Sequence, residues 1–430
     1  MKSLYDMYKQ VLSLLSGNSR EIAAIAMKLT FAFLSFIIIF VVARISGASV
    51  TGDYAFAVAT ASMVSLLATL GLDQIAVRMI GGDLREGRRD LALAALFAVA
   101  RTIAPVALAL ALILMVASPY AALVGASMEA MMAVSVSVVA FPLLRLAVVT
   151  LRATGKILIS QFLDGAHSVT MLVGLGGMIL VGDGTLSAAL TAALYSTGIV
   201  FSAIIAWALL YREIRDWPRG VKFEGRLLAS SWPILIAAFC HSFTQWIVLA
   251  QLGAEFGSAQ VGAYRVANQV VMIIALMLTT IESLVNPQLA GDFRIGDIQG
   301  AWRRHRRASA LMLVAAFFPV LLCLIAPHHI LGLFGPEFGI ATVALMIMSA
   351  GQIVNVLTGP IGGMMIMSGR ERISLWLSIA GLITAVLLSV ALIPVYGLVG
   401  AAIAGASATI LRNIAAYIFM RRVLKVTGVD

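Results

Sequence analysis

The chain has 430 residues, of which 61% are hydrophobic and only 12% are charged, and its formal net charge is +10. So small a polar fraction excludes a water-soluble globular protein of this size and predicts a multi-pass membrane protein. The basic residues lie in short connections between apolar runs, which is a topological signal, and this distribution argues against a nucleic-acid partner.

The apolar runs come in chain order after a short amphipathic segment. The first twenty residues carry apolar side chains at helical spacing, which predicts a helix lying on the membrane surface. Runs of about 18 residues or more are long enough to cross about 30 Å of hydrocarbon as helices. Twelve such spans are predicted, at roughly 22–43, 54–73, 91–116, 128–150, 157–180, 187–210, 227–251, 261–287, 308–326, 340–367, 373–395 and 398–420.

The charges in the connections predict which side of the membrane each connection faces. With twelve spans, 24 lysines and arginines fall on one side, and only Arg44 falls on the other. By the positive-inside rule, we expect both termini in the cytoplasm. No cleavable signal peptide is predicted, because the first apolar run is longer than a signal h-region. The two cysteines, Cys240 and Cys323, lie inside apolar runs, so neither a disulfide framework nor a metal site is predicted.

The chain divides into two similar halves at its longest internal polar connection, 211–226. The predicted lobes are 1–218, with the surface helix and spans one to six, and 219–430, with spans seven to twelve. The motif at 52–54, Gly-Asp-Tyr, recurs 210 residues later at 262–264 as Gly-Ala-Tyr, and Gly155 recurs 214 residues later as Gly369. Because each half begins on the same side after an even number of spans, the repeat is predicted to be parallel, with a pseudo-twofold axis normal to the membrane.

Three segments make the chain resemble a known family: the Gly-x-Tyr motif at 52–54, LRATGK at 151–156 and YGLVGAAIAGASATILRN at 396–413. They are similar to the polysaccharide-exporter branch, of the O-antigen flippase type, in the multidrug/oligosaccharidyl-lipid/polysaccharide exporter superfamily. The resemblance extends over essentially the whole chain. It implies an all-α, V-shaped, MATE-like fold with two six-helix lobes.

The resemblance also implies a function. Such proteins move polyprenyl-diphosphate-linked oligosaccharides, the repeat units of O-antigen, capsule or exopolysaccharide, from the cytoplasmic to the periplasmic leaflet of the bacterial inner membrane. The expected partners are the lipid-linked glycan, membrane lipids, and polysaccharide polymerase and chain-length proteins. We expect alternating access and no catalytic residues, metal or cofactor.

Charged residues inside the spans predict a cationic cavity. The deep cations outnumber the deep acids, Asp164 and Glu282, so at least three cations remain unpaired even if each acid pairs once. An unpaired cation is costly in lipid, and the surplus therefore predicts a water-filled cavity that binds an anion such as a diphosphate. The predicted cavity residues are Lys28, Arg101, Arg145, Arg265 and Arg412, with Asn268 on the same helical face as Arg265.

Two alternatives for these cations stay open. Arg145 and Arg265 lie close enough to span ends to reach the membrane surface by snorkelling, and the same alternative is open for Lys28. Arg101 lies near the middle of its span, and its alternative role is an ion pair with Asp164.

Asp164, His167 and Glu282 are the candidates for ion coupling. A buried carboxylate beside a histidine is suited to binding a proton or sodium, which would couple transport to an ion gradient. The competing interpretation is that Asp164 only neutralises an arginine. Gate or hinge positions are predicted where prolines and a glycine interrupt helical hydrogen bonding, namely at Pro105, Pro142, Gly359 and Pro360.

The sequence argues against two other functions. A cation-coupled multidrug antiporter of the same fold would need acids to hold organic cations, whereas the first span carries Lys28. A membrane glycosyltransferase or polymerase would need metal ligands or a catalytic base on a large extramembrane loop, and no connection in the sequence is long enough. No metal-binding motif, nucleophile elbow or phosphate-binding glycine loop is present in the sequence.

Overall fold

The computed structural model describes residues 19–181, 186–221, 223 and 227–426, and every regular element in these ranges is helical. The predicted surface helix over the first twenty residues lies almost wholly outside them. The N-terminal half contains α1 (Ser19–Thr69), α2 (Leu72–Arg85), α3 (Arg89–Ala117), the 3₁₀ segment η1 (Ser118–Val124), α4 (Met128–Ala153), α5 (Ile157–Val181) and α6 (Ala188–Ile214). The C-terminal half contains α7 (Leu227–Phe256), α8 (Ser258–Arg294), α9 (Ile298–Ile325), α10 (Pro327–Gly332), the 3₁₀ segment η2 (Pro336–Ala341), α11 (Thr342–Thr358), α12 (Ile361–Met367), α13 (Glu371–Tyr396) and α14 (Leu398–Val426).

The long helix α1 contains the first two predicted spans. Its 51 residues exceed by far the roughly 20 that cross a bilayer. Gly47 interrupts it with φ 77 and ψ −178, a conformation that a residue with a Cβ rarely adopts. Among the described residues, eleven helices are long and apolar enough to cross a membrane, and dividing α1 at Gly47 is consistent with the twelve predicted spans.

The sequence prediction missed the amphipathic helix α2. The second span was predicted to continue to residue 73, but the helix ends at Thr69 and turns at Leu70, which has φ 52. The charged residues of α2, including Asp73 and Arg85, excluded it from a search for apolar runs. In the C-terminal half the corresponding residues simply extend α8.

Paired glycines show the internal repeat in the backbone. Gly47 and Gly257, 210 residues apart, end the first span of each half with φ 77 and φ 80. Gly155 and Gly369, at the predicted offset of 214, follow the fourth and tenth spans with φ 86 and φ 74. The halves form the two predicted six-helix lobes, here called the N-lobe and the C-lobe. The predicted boundary at 218/219 falls in the connection between α6 and α7.

The lobes meet where α1 crosses α8. A Cβ on Gly52 would overlap the carbonyl oxygen of Ser258, and a Cβ on Gly262 would overlap the carbonyl oxygen of Ala48. The two backbones therefore touch, since glycine is the residue that permits such an approach. The Gly-x-Tyr motif recognised in the sequence is thus repeated because both copies build one contact near the pseudo-twofold axis.

Hydrogen bonds join the lobes along the same contact. The hydroxyls of Ser49 and Ser258 lie 2.7 Å apart, and the indole of Trp246 donates to Thr60 over 2.9 Å. The backbone N–H of Ala48 donates to the carboxylate of Glu337 in η2 over 3.0 Å. These contacts run from the far side, opposite the basic residues of the connections that the structure describes, to the middle of the second span. Toward the basic side, Lys28, His241 and Ser283 are exposed, and the space that they line is here called the cleft; beside it, α2 of the N-lobe packs against α7 of the C-lobe.

The predicted tenth span is two helices in the structure. Residues 340–367 were expected to form a single span, but α11 ends at Thr358 and α12 begins at Ile361. Gly359 has φ 64, and a Cβ there would overlap the hydroxyl of Ser309. The helix therefore breaks at the predicted Gly359–Pro360 position. Pro105 and Pro142 differ, because each lies inside a continuous helix, α3 and α4 respectively.

Candidate functional site

The side chain of Arg265 extends from the C-lobe into a cavity of the N-lobe. Arg265 lies on α8 of the C-lobe, directly after Tyr264, and its side chain lines a cavity of about 120 Å³ in the N-lobe. The N-lobe wall of this cavity is contributed by α1, α5 and α6. Its polar members are Ser35, Tyr54, His167, Ser168 and Tyr195.

The guanidinium of Arg265 has no carboxylate partner. Among the described residues, no acid lies within 4 Å of it, and its buried Nε atom has no hydrogen-bond partner. The groups within electrostatic range are the phenols of Tyr54, Tyr195 and Tyr264. A buried guanidinium surrounded by neutral groups leaves an uncompensated positive charge in the cavity.

A second cavity occupies the corresponding place in the C-lobe. It is smaller, about 60 Å³, and is lined by residues that include His241, Gln245, Tyr264 and Arg412. Tyr264 stands where Tyr54 stands in the N-lobe cavity, and Gln245 stands where Ser35 stands, each at an offset of 210 residues. The two cavities are therefore copies of one structural feature with different polar linings.

Three charged residues from both lobes lie close together at the cleft. Glu282 of α8 is within electrostatic range of Arg412 of α14 and Lys28 of α1. In the part of the chain that the structure describes, none of the three forms an ion pair within 4 Å. Two cations therefore face one acid, and this group, here called the cleft cluster, carries an excess positive charge that an anionic ligand would balance.

Arg145 lies outside the cleft cluster and is fully paired. Its guanidinium contacts Asp73 at 3.3 Å and Asp164 at 3.4 Å, so it does not snorkel. The alternative in which Arg101 pairs with Asp164 is wrong, because Asp164 forms its ion pair with Arg145 instead. Sequence reasoning gave Asp73 no role. The available signal was an acid placed directly after the end of an apolar run, where a turn can direct it back toward the bundle.

Arg101 is placed on the outside of its helix. It is exposed, together with Phe97, Pro105 and Leu108, which follow one another at helical spacing along α3. The opposite stripe of α3, which includes Leu96 and Ile103, is buried against the N-lobe. The structure thus separates Arg101 from the other deep cations, since its side chain points away from the lobe interior.

The remaining predicted site residues divide between two places. His167 lines the N-lobe cavity, and its ring lies 6.0 Å from that of Tyr195. The imidazole contacts the backbone of Asp164, although Nδ1 has no well-formed hydrogen bond. It stays within electrostatic range of Asp164. Asn268 is half-buried on α8, one turn from Arg265.

The polar face before the Gly359 break forms a hydrogen-bonded chain. Asn413 of α14 donates to Asn355 over 2.8 Å, and Asn355 donates to Gln352 over 3.0 Å. Asn413 was missing from the sequence prediction, because only the packing of α14 against α11 reveals its partner. This series of hydrogen bonds links the helix before the break in the tenth span to the last helix of the bundle.

A family comparison identifies the chain. The polysaccharide biosynthesis protein family matches residues 21–288, which is more than half of its length. The chain belongs to this family. A curated relative, the "Probable low-salt glycan biosynthesis flippase Agl15" of Haloferax volcanii, is 26% identical over 235 residues. The match covers 54% of this chain and 48% of the relative, so the chain spans about half the length of the curated protein that it matches.

Solved structures show the fold of this polysaccharide biosynthesis protein. An inward-facing multidrug resistance MATE transporter matches with a TM-score of 0.77 at 14% identity, covering 94% of this chain and 98% of that one. The lipid II flippase MurJ, in an inward closed conformation, matches with 0.73 at 12% identity, covering 93% and 87%. An outward-facing MATE structure matches with only 0.64 at 14% identity, covering 96% and 97%. The overlay is thus better on the inward-facing than on the outward-facing MATE structure.

Proposed function

We propose that this protein is a flippase that moves a polyprenyl-diphosphate-linked oligosaccharide from one membrane leaflet to the other by alternating access. The observation that carries the proposal is the cleft cluster, in which Lys28 and Arg412 from opposite lobes face a single acid, Glu282. A diphosphate is the anion that such a cluster would hold, because its charged oxygens accept hydrogen bonds from both cations.

The relatives support this reading. The curated relative is described as a glycan biosynthesis flippase, and one solved structure of the same fold is a lipid II flippase. We propose that the excess positive charge of the cleft cluster is neutralised by the substrate in the inward-facing state. Rocking of the lobes about the Gly52–Gly262 contact would then carry the bound headgroup to the far side.

The proposal extends to the cell and to energy coupling. Both termini are proposed to lie in the cytoplasm, because the basic connections lie on one side. The protein is proposed to lie in the bacterial inner membrane, as the family resemblance implies. Asp164, His167 and Glu282 are proposed as sites at which a proton or sodium couples to transport. Polysaccharide polymerase and chain-length proteins are the proposed partners, and the protein is proposed to act without catalysis.

A multidrug antiporter is the second candidate, because a MATE transporter matches the fold over almost the full chain. That function needs acids in the cleft to hold organic cations. In this chain the cleft cluster is positive overall, so the charge favours an anionic substrate.

A reconstituted flipping assay tests the proposal. Proteoliposomes containing a fluorescent polyprenyl-diphosphate-linked glycan are treated with a membrane-impermeant quencher, and the rate at which label becomes accessible is measured. We expect the wild-type protein to accelerate flipping. Lys28→Ala and Arg412→Ala should each slow it by about tenfold or more, since each loses a charge-assisted hydrogen bond to the diphosphate.

The matched control is Arg152→Ala, which removes an exposed arginine in the last turn of α4 and should leave the rate unchanged. Neither cleft variant breaks an ion pair closer than 4 Å in the described part of the chain, so both should express and melt like wild type. If both cleft variants flip the lipid at the wild-type rate, or if the protein exports organic cations and does not flip the lipid, the proposal is wrong.

A further inference from the structure

We propose that the N-lobe cavity binds a small monovalent anion of chloride size between Arg265 of the C-lobe and hydroxyl groups of the N-lobe, and that this anion holds the two lobes in their observed arrangement. The proposed site is distinct from the cleft cluster, which is built from Lys28, Glu282 and Arg412.

The first argument is charge. A guanidinium stays protonated in proteins, and the cavity that surrounds Arg265 is lined, in the described part of the chain, by neutral groups. Burying an unpaired charge is costly, whereas a charge that meets a counter-ion and hydrogen-bonding partners is tolerated. An anion is the species that removes the cost, because no carboxylate lies within 4 Å of Arg265 among the described residues.

The second argument is a set of hydrogen-bonding atoms left without good partners around one space. The Nε atom of Arg265 is buried and unpartnered, and the imidazole of His167 contacts the backbone of Asp164 in its own helix without a well-formed hydrogen bond at Nδ1. The hydroxyl of Tyr54 reaches only the thioether sulfur of Met171, at 3.5 Å, and sulfur is a weak acceptor. All three residues line the same cavity. Buried polar groups normally have partners, so a shared acceptor at the centre of these groups accounts for them together.

The third argument is size. A volume of about 120 Å³ is several times the space that one water molecule needs. A halide with a small number of waters therefore fits this space.

A bound anion should stabilise one arrangement of the lobes, because the two lobes contribute different groups to the site. Tyr54, His167 and Tyr195 belong to the N-lobe, whereas Arg265 belongs to the C-lobe, so the site is complete only while the lobes hold this arrangement. A ligand that binds one arrangement and not the other shifts the population toward the first. The C-lobe cavity receives no arginine from the opposite lobe, because the N-lobe residue at the position of Arg265 is Ala55, 210 residues earlier. Its own cation, Arg412, belongs to the C-lobe, so an anion bound there would not join the two lobes. The effect should therefore act through one cavity.

A distance measurement on the full chain tests the proposal. Spin labels are placed at Tyr120 and Leu333, which are exposed on the far side, one in each lobe. Cys240 and Cys323 are buried free cysteines and are replaced by alanine. Chloride is titrated against gluconate at constant ionic strength. We expect chloride to raise, with saturation, the fraction of molecules with a short interlobe distance.

Variants assign the response to the cavity. Arg265→Gln should abolish it and Arg265→Lys should retain it in part, while Tyr54→Phe should raise the half-saturating chloride concentration by about tenfold, since it removes one donor. Arg152→Gln is the matched control and should respond like wild type. If Arg265→Gln does not fold, the shift in half-saturating chloride concentration of Tyr54→Phe still tests the proposal.

A chloride response that persists unchanged in Arg265→Gln and Tyr54→Phe would overturn the proposal, as would the absence of any response in the wild-type protein. A response to inorganic pyrophosphate but not to chloride would also overturn it, by assigning the cavity to the substrate. The flippase proposal survives each of these outcomes, because its own test depends on Lys28 and Arg412.

Discussion

Gly52 of α1 and Gly262 of α8 pack backbone against backbone at the lobe interface: a Cβ on either would overlap a carbonyl oxygen of the facing helix and lie within 2.9 Å of the other glycine's nitrogen. They are equivalent residues of the internal repeat, so the contact is symmetric. A symmetric contact of this kind can act as a pivot, because rotation of one lobe against the other moves it least.

Substitution of either glycine tests the pivot. Gly52→Ala and Gly262→Ala should each destabilise the observed arrangement by about 1–3 kcal/mol, since an added methyl overlaps a backbone carbonyl that cannot move independently of its helix. The interlobe distance distribution and the transport rate report the effect. Gly291→Ala, on the same α8 helix but facing open space, is the control and should behave as wild type. Normal distances in both pivot variants would show that the contact is incidental.

The Arg145 ion-pair group predicts a stability defect. Arg145→Ala leaves Asp73 and Asp164 facing each other without a cation, and we expect a loss of about 3 kcal/mol in the free energy of unfolding. Thermal melting in detergent measures it. The double change Asp73→Asn with Asp164→Asn in the Arg145→Ala background should recover most of the loss, because no charge is then left unpaired.

Asp164→Asn alone separates the two roles considered for this carboxylate. If Asp164 couples an ion, this variant should lose the dependence of transport on the proton or sodium gradient while Arg145 keeps Asp73 as a partner. If Asp164 only neutralises Arg145, coupling should persist and only the melting temperature should fall. Flux measured with and without each gradient decides between them.

The hydrogen bond between Glu337 and Ala48 should help to hold the two lobes together on the far side. The Glu337 carboxylate accepts from the N–H of Ala48 at the start of the second half of α1, where the helix dipole also favours a negative charge. Glu337→Gln should weaken the far-side contact by about 1 kcal/mol, a roughly fivefold shift toward the open far side. The distance between spin labels at Tyr120 and Leu333, one in each lobe, measures it. Glu255→Gln, at an exposed acid at the end of α7, should leave this distance unchanged.

Replacing Gly359, at the helix break, by a residue with a side chain should strain the backbone. Gly359→Ala forces a side chain into φ 64 and against Ser309, so we expect a loss of at least 1 kcal/mol in stability and slower transport. Gly362→Ala lies two residues into α12 in open space and should be neutral. Adding Ser309→Ala should recover only part of the loss, since the backbone strain remains. Equal melting temperatures for Gly359→Ala and wild type would remove the strain argument.

The sequence by itself determined the features that depend on local pattern. Apolar runs long enough to cross a bilayer, the one-sided placement of basic residues, and the recurrence of Gly-x-Tyr at 52–54 and 262–264 predicted an all-α protein with two parallel lobes. These signals survive without tertiary information, because hydrocarbon length, charge asymmetry and glycine-dependent helix contacts each act on a short stretch of chain.

Only the tertiary structure decided which intramembrane charges meet. Arg145 pairs with two acids, Arg101 points outward, and Arg265 enters the opposite lobe, although all three looked alike in sequence as cations within apolar runs. The reason is physical. A helix that is apolar on every side carries almost no sequence signal for its rotation about its own axis. That rotation is set by close packing against neighbouring helices, and it alone determines whether a charged side chain faces lipid, a partner or a cavity.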